Sequence, residues 1–285
     1  MIVYVGIAFS YKAKVFQKLE RMKKMKRSFM CFAALCMSSV ILAGCGNSTP
    51  KNPVHSIDDL NGKTIGVQLG TTGDALAEDV ENAKVEKYNK YSDAVQALSQ
   101  GKIDAIIIDS DTAEEFVKKN NKVELLSEGF ADEEYAIAMK LDNTALQSEI
   151  NEALRTLNDN GTLRQIKDNY DSEDAGTKAY TSPEGTDRSK GKLVMATNAE
   201  FPPYEFKKGT DIVGFDVDMM TAVCDELGYE LQIEDMAFDS IIPAVQSGKA
   251  DVGVAGMSVT PDREKNVLFS DTYTTTHLVV MVRKD

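Results

Sequence analysis

Polar, charged and aromatic side chains collect in a few short stretches where apolar runs of the chain end. Turn glycines in these stretches allow the backbone to approach a small molecule closely. The stretches are GVQLGTTG at 66–73, IIIDSD at 106–111, GMSVTPDR at 256–263, and the pair ATNAEFPPYEF at 196–206 and MAFDSIIPA at 236–244. Their residue types predict a site that holds a small molecule by opposite charges and aromatic walls.

The Gly-Thr-Thr-Gly turn at 70–73 leads from a predicted strand into a predicted helix. Backbone N–H groups at such a helix start, together with the Thr71 and Thr72 hydroxyls, favour an anion. Ordinary helix capping by these residues is the alternative.

Asp109 directly follows an apolar run, and a carboxylate at that position suits an ammonium group. It could instead cap the helix predicted to begin near Thr112. Asp111 could take the capping role and leave Asp109 free, so both interpretations stay open.

Arg263 closes the stretch that begins with Gly256 and Ser258. A guanidinium can hold a carboxylate through two charge-assisted hydrogen bonds. A surface ion pair with Asp262 or Glu264 is the alternative.

Three aromatic residues, Phe201, Tyr204 and Phe238, could form the walls of a pocket. Packing in the core is the commoner role of a phenylalanine.

The first 44 residues have the features of a signal peptide. Basic residues at 23–27 precede an apolar run at 29–43, which is shorter than the ~20 residues that a membrane-spanning helix needs. The run ends in Leu-Ala-Gly-Cys, which resembles a bacterial lipobox and predicts lipidation of Cys45. Residues 45–54 would then be a flexible tether. A buried cysteine at the end of a short helix is the alternative, and residues 1–21 are interpreted as an overlong start.

Charge and cysteine content exclude several functions. Removing the eight basic residues and one acidic residue of 1–44 from totals of 32 and 45 leaves 24 basic and 44 acidic residues, so we expect no nucleic-acid partner. Cys224 lies in an apolar stretch typical of a buried helix, and His55 and His277 show no ligand spacing. We expect no metal, no cofactor and no enzyme.

Strand and helix patterns alternate along the chain, which predicts the α/β class, with ligands bound beyond the carboxyl ends of parallel strands. Strands are predicted at 64–67, 85–88, 103–109, 123–126, 135–139, 193–197, 230–233, 251–254 and 277–282, and helices at 74–80, 92–98, 112–119, 144–157, 163–170, 217–227 and 240–246. Residues 172–190, rich in Ser, Thr, Gly and charge, are predicted to be a linker.

The motifs above, with IVGFDVDM, FSDTY, DEEYAIAM and NGTLRQI, resemble the bacterial extracellular solute-binding proteins for polar amino acids. The resemblance covers nearly all of 56–285. It implies a two-lobed periplasmic-binding-protein fold of type II, with the ligand between the lobes.

The order of the matching segments differs from the usual order of the family, because its second half comes first here. This implies a circular permutation in which the linker at 172–190 joins the usual ends. Lobe two would comprise 55–133 plus 277–285, and lobe one 136–275. Losing the last strand should unfold the edge of lobe two.

By the resemblance, the α-carboxylate of a ligand is held by Arg263, Thr71, Thr72 and the backbone near Ser258. The α-ammonium is held by Asp109, the Gly256 carbonyl and the Ser258 hydroxyl.

By the same resemblance, Phe201 and Phe238 pack against the ligand side chain. Asn198, Gln68 and Tyr204 contact its polar end. Glu200 and Asp239, the acids that a cationic ligand would want, are only nearby in sequence, so a neutral, glutamine-like ligand is favoured.

The implied function is that of a lipid-anchored receptor outside the cytoplasm, which passes a free amino acid to the membrane permease of an ATP-binding-cassette importer. A ligand-sensing or adhesive lipoprotein of the same fold is one alternative. A dehydratase-type enzyme is another, since that fold also supports catalysis.

Overall fold

Alternating strands and helices form two five-stranded sheets and one small sheet in this computed structural model, which describes residues 49–171 and 176–285. The strands are β1 (Thr64–Gln68), β2 (Lys84–Tyr88), β3 (Ala105–Asp109), β4 (Val123–Tyr135), β5 (Ala138–Lys140), β6 (Lys192–Thr197), β7 (Glu200–Phe201), β8 (Glu205–Lys208), β9 (Asp211–Val213), β10 (Glu230–Asp235), β11 (Val252–Gly253), β12 (Val267–Phe269) and β13 (Thr274–Arg283).

Seven α-helices cover the sheets within the described residues. They are α1 (Thr72–Ala77), α2 (Tyr91–Ser99), α3 (Ser110–Lys119), α4 (Thr144–Asp159), α5 (Thr162–Tyr170), α6 (Phe215–Leu227) and α7 (Ile241–Ser247). Short 3₁₀ helices span Ile57–Leu60 and Phe238–Ser240. The predicted signal peptide and Cys45 lie outside the described residues.

The first sheet has the order β2-β1-β3-β13-β4. β1 is parallel to β2 and β3, while β13 is antiparallel to both β3 and β4. All five residues of β3 are buried, as expected for a central strand covered on both faces. The C-terminal strand therefore lies in the same sheet as β1, as the sequence predicts. It is an interior strand, so the expectation that its loss affects only an edge is wrong.

The second sheet has the order β10-β6-β11-β5-β12. β6 is parallel to β10 and β11, and β5 is antiparallel to β11 and β12. Its strands come from the chain between β4 and β13, so the two sheets are the frames of two α/β lobes. β4 leads from the lobe of the first sheet to the start of β5, and β13 returns the chain to the first sheet.

Three expectations about the elements differ from the structure. The strands predicted at 123–126 and 135–139 are a long β4 followed by a short β5, and the helix predicted at 74–80 ends at Ala77. The antiparallel sheet β7-β8-β9 has no counterpart in the prediction. Its strands are two to four residues long, too short to show an alternating pattern in the sequence.

The polar segment before β1, predicted to be a tether, contacts the folded domain from Pro50 onward. Asn52 and Val54 are buried, and the Asn52 N–H donates to Asp285 Oδ1 at 3.1 Å. The buried Arg283 donates to the Pro50 carbonyl. A flexible tether was expected through residue 54, but these contacts fix its last residues against the chain's C-terminus.

Candidate functional site

The loops that follow β1, β3, β6 and β11 meet around one cavity between the two lobes. Ten of the eleven residues predicted for a ligand site line it: Gln68, Thr71, Thr72, Asp109, Asn198, Phe201, Phe238, Gly256, Ser258 and Arg263. The topology explains this grouping, because the carboxyl ends of neighbouring parallel strands meet at one edge of a sheet.

Asp109 both caps a helix and faces the cavity. Its Oδ1 accepts a hydrogen bond from the Thr112 N–H at 3.0 Å, so Asp109 and not Asp111 is the N-cap of α3. Its Oδ2 accepts from the Thr276 hydroxyl at 2.6 Å and the Tyr135 hydroxyl at 3.1 Å. Asp111 instead accepts from Tyr204. The capping interpretation thus applies to Oδ1, while Oδ2 faces the cavity.

The environment of Asp109 disfavours its ionised form. Burial, followed by the negative charge of Asp111, raises the pKa of Asp109 to about 7. Hydrogen bonds from Thr276 and Thr112 act in the opposite direction. An ammonium group in the cavity would compensate the charge that burial penalises.

Arg263 extends across the cavity and touches both lobes. Its Nη1 donates to the Ser258 carbonyl at 2.8 Å, and its Nη2 donates to the Gly70 carbonyl at 3.0 Å. The guanidinium also lies 5.4 Å from the ring centroid of Phe238. Asp262 pairs with Lys265, so the alternative of a surface pair between Asp262 and Arg263 is not what the structure shows.

The two threonines of the 70–73 turn have different roles. Thr71 is the N-cap of α1 and accepts from the Asp74 N–H at 3.2 Å, which is the capping alternative. The Thr72 hydroxyl points across the cavity and donates to Glu133.

Glu133 is a site residue that the sequence analysis missed. It is buried in β4, and its carboxylate accepts from the Ser258 hydroxyl at 2.7 Å and from the Thr72 and Tyr135 hydroxyls. In the run 132–135, Glu133 and Tyr135 are buried while Asp132 and Glu134 are exposed. This two-residue alternation of burial is that of a strand, but three consecutive acids in the sequence do not show which of them faces inward.

Aromatic rings form one wall of the cavity. Phe201 stacks on Tyr204 with centroids 5.5 Å apart and contacts Tyr91 at 6.2 Å. Tyr91 and Tyr135 line the cavity but were not predicted. Tyr204 lies behind Phe201, outside the lining, and its hydroxyl donates to Asp111 at 2.6 Å. The structure therefore separates Tyr204 from the ten other predicted residues.

Position 256, at the cavity wall, can hold only a glycine. Its φ is +51°, and a Cβ there would lie 2.6 Å from a ring carbon of Phe201. Its N–H donates at 2.9 Å to Oδ2 of the buried Asp216, which fixes the loop that precedes Ser258.

Two amides connect the lobes. Gln68 Nε2 donates to Asn198 Oδ1 at 2.8 Å and to the Asn89 carbonyl at 2.9 Å. Asn198 Nδ2 donates to the Met236 carbonyl at 2.8 Å. Both amides predicted to contact a ligand side chain are thus bonded to each other and to the backbone.

Comparisons with known proteins find similarity over part of the chain. Residues 193–285 match the family model of bacterial extracellular solute-binding proteins, family 3. The arginine-binding extracellular protein ArtP of Bacillus subtilis (strain 168) is 41% identical over 109 residues, which are 38% of this chain and 43% of that protein. The L-cystine-binding protein TcyJ of Escherichia coli (strain K12) is 32% identical over 119 residues, 41% of this chain and 45% of that protein.

Among solved structures, the arginine-bound form of domain 1 from TmArgBP is 40% identical, with a TM-score of 0.29, over 34% of this chain and 82% of that one. The chain spans less than half the length of these two curated relatives. Over residues 193–285 it is similar to the bacterial extracellular solute-binding proteins, family 3.

Proposed function

We propose that the protein binds a free L-amino acid in the inter-lobe cavity and delivers it to the membrane permease of an ATP-binding-cassette importer. The observation that carries this proposal is the presence of Asp109 and Arg263 in the lining of one cavity. An amino acid has an ammonium and a carboxylate on one carbon, and buried ionic groups need partners of opposite charge.

In the proposed complex, Arg263 holds the α-carboxylate, aided by Thr71 and Thr72. Asp109 holds the α-ammonium, with the Gly256 carbonyl and the Ser258 hydroxyl nearby. Arg263 already contacts the backbone of both lobes, at Gly70 and Ser258, which supports a role in holding the lobes around a ligand.

The side chain of the ligand would pack against Phe201 and Phe238, which line the cavity. The relatives' names indicate binding of arginine and of L-cystine, both free amino acids with a polar side chain. A glutamine-like ligand remains the prediction from Gln68 and Asn198 alone, although their mutual hydrogen bond weakens that prediction.

Export and anchoring by Cys45 are part of the proposal and rest on the sequence alone. Among residues 49–171 and 176–285, no helix is long and apolar enough to cross a bilayer. A lipid on Cys45 would hold the binding domain near its permease at the outer face of the membrane.

We also propose the circular permutation, with lobe two formed by 55–133 plus 277–285 and lobe one by 136–275. Two observations support it. The C-terminal β13 lies in the same sheet as β1. Asn52 contacts Asp285, so residue 285 lies close to the start of lobe two. New termini are tolerated where they lie close together at a surface.

A thermal-shift screen of the purified protein against the twenty amino acids tests the binding function. A ligand at a hundred times its Kd stabilises the folded state by about 2.7 kcal/mol, which raises Tm by about 5–10 °C. We expect Arg263→Gln to abolish the shift. Asp109→Asn should also abolish it, and asparagine can still cap α3.

The matched control is Arg164→Gln, since the Arg164 side chain is 87% exposed. It should keep the full shift. Absence of a shift with every amino acid, or a shift that survives Arg263→Gln, would contradict the proposal.

A further inference from the structure

Two acidic side chains lie fully buried and side by side behind the wall of the cavity. Glu205 begins β8, Asp216 lies in the first turn of α6, and neither is exposed to solvent. The backbone brings them together, because the Asp216 N–H donates to the Tyr204 carbonyl at 2.9 Å. Position 214 leaves no room for a Cβ beside that same carbonyl, so α6 begins in direct contact with β8. The two carboxyl groups form a hydrogen bond with each other.

A hydrogen bond between two carboxyl groups needs a proton on one of them. Within the described part of the chain, no N–H or O–H group donates to either oxygen of Glu205 or to Oδ1 of Asp216. Asp216 Oδ2, in contrast, accepts from the Gly256 N–H at 2.9 Å and from the Tyr273 hydroxyl at 3.0 Å. These donors and the N-terminus of α6 favour the ionised form of Asp216. Glu205 therefore carries the proton and donates it to Asp216.

The surroundings of Glu205 also favour its protonated form. Burial, followed by the negative charge of Asp216, raises the pKa of Glu205 well above its usual range. Burial raises the pKa of Asp216 only to about 6, because the hydrogen bonds that it accepts oppose the effect. The other ionisable groups that act most strongly on Glu205 or adjoin it are acids and phenols: Asp109, Asp235, Tyr204 and Tyr273. At neutral pH the pair thus holds one proton and one negative charge.

Asp216 connects the cavity wall with the junction of the two lobes. Gly256 belongs to the loop that carries Ser258, and both residues line the cavity. Tyr273 directly precedes β13, and its N–H donates at 3.0 Å to the carbonyl of Tyr135, the last residue of β4. β4 and β13 are the strands that lead from one lobe to the other. One carboxylate oxygen therefore holds the loop of the cavity against the point where the lobes join.

We propose that Glu205 and Asp216 share a single proton and act as a positioning pair, which fixes the Gly256 loop of the ligand site and loosens it when that proton is lost. Without the proton, two buried negative charges repel each other, and Asp216 is driven from its place beside Gly256. The inference rests on the proposed function, because it concerns regulation of the same site. Its tests use the ligand-free protein.

Infrared spectroscopy tests the shared proton. At about pH 8, where Asp109 is mostly ionised, we expect the wild-type protein to show the carbonyl band of a buried, protonated carboxylic acid. Glu205→Gln should lose this band and still fold, because the amide can donate to Asp216 in place of the carboxyl proton. The control Glu230→Gln, at an exposed position of β10, should keep the band. Absence of the band in the wild type, or its survival in Glu205→Gln, would overturn the inference.

Hydrogen exchange of the Gly256 amide, followed by nuclear magnetic resonance, tests the positioning role. Asp216→Ala should speed this exchange at least tenfold, and Asp216→Asn, which keeps an oxygen for the amide, should restore most of the protection. The matched control is Asp218→Ala. Asp218 is another buried acid of α6, but it accepts from the Tyr170 hydroxyl and the Tyr180 N–H, away from the cavity. Equal exchange at Gly256 in Asp216→Ala and Asp218→Ala would overturn the inference.

The pH profile of the same exchange decides the matter even if Asp216→Ala does not fold. As pH rises from about 8 to 10, Gly256 should lose protection in the wild type and keep it in Glu205→Gln, which has no proton to lose at that position. Parallel profiles would overturn the inference and leave the proposed function intact. Failure of every amino acid to bind would instead refute the proposed function without changing these measurements.

Discussion

At the scale of single residues, Asp109 combines a structural role with its proposed binding role in one carboxyl group. Oδ1 caps α3 through the Thr112 N–H, and Oδ2 is directed to Thr276, Tyr135 and the cavity. The cap fixes the side chain before a ligand arrives, so little conformational entropy is lost on binding.

Ligand affinity should depend on pH through Asp109, because an ammonium needs the ionised carboxylate. With a pKa of about 7, about one molecule in eleven is ionised at pH 6 and ten in eleven at pH 8. We expect affinity to rise about tenfold over this range, with release of a proton on binding. Calorimetry in buffers of different ionisation enthalpy measures both, and a pH-independent affinity would contradict the assignment.

The raised pKa of Asp109 also determines whether the stability of the ligand-free protein rises or falls with pH. The folded-state pKa of Asp109 is above its ordinary value of 3.8, so the folded state binds more protons between about pH 4 and 7. Asp109 therefore lowers stability as pH rises through that window, and Asp109→Asn should remove this contribution.

Asp109 and Arg263 could be predicted because each follows a strand in a regular α/β alternation. Glu133 could not be selected from Asp132, Glu133 and Glu134 without knowing the phase of the strand. The prediction ended one strand at 126 and began another at 135, which left that phase undefined. Tyr204 was predicted from its residue type and from the family resemblance, and its direction depends on packing between Phe201 and Tyr135.

At the scale of elements, β13 forms the interior of the first sheet. Val280 and Met281 are fully buried, and Met281 pairs with Ile106 of β3. Its apolar run was clear in the sequence, but its neighbours depend on long-range pairing that sequence patterns do not specify.

Met281→Ala should lower the free energy of unfolding by about 2–5 kcal/mol, because it leaves a cavity in a close-packed core. Urea denaturation followed by circular dichroism measures this change. Thr275→Ala, at an exposed position of the same strand, should change it by less than about 0.5 kcal/mol. Equal effects of the two substitutions would contradict the interior position of β13.

The segment predicted as a linker is attached to α6 in its described part, 176–190. Tyr180 and Ser182 donate to Asp225 at 3.0 and 3.1 Å, and Arg188 forms an ion pair with it. Burial raises the pKa of Tyr180 to about 12, so its hydroxyl keeps the proton that it donates. The polar composition predicted a linker here, but it gave no information on a single acceptor shared by three side chains.

Asp225→Ala should free this segment for proteolysis. The loss of the three contacts costs about 1–3 kcal/mol, and we expect trypsin to cut at Lys178 or Arg188 about tenfold faster. Timed digestion with mass spectrometry measures the rate. Glu226→Ala, the exposed neighbour on α6, is the control, and equal cutting of both variants would show that Asp225 does not hold the segment.

At the scale of the whole molecule, polar contacts across the cavity hold the two lobes together. Arg263 reaches Gly70, Gln68 reaches Asn198, and Lys90 pairs with Glu200. These contacts surround the cavity, so binding and lobe closure should be coupled. The α/β class was predictable from the alternation of elements, and the two lobes were implied by the family resemblance. Contacts between the lobes were not predictable, because they join residues far apart in sequence.

The most direct test of the account is an experimental structure of the protein with a bound amino acid. We predict density between the lobes, with the α-carboxylate against Arg263 and the α-ammonium against Asp109 Oδ2. A ligand bound outside this cavity, or one whose carboxylate and ammonium contact neither residue, would contradict the proposed function.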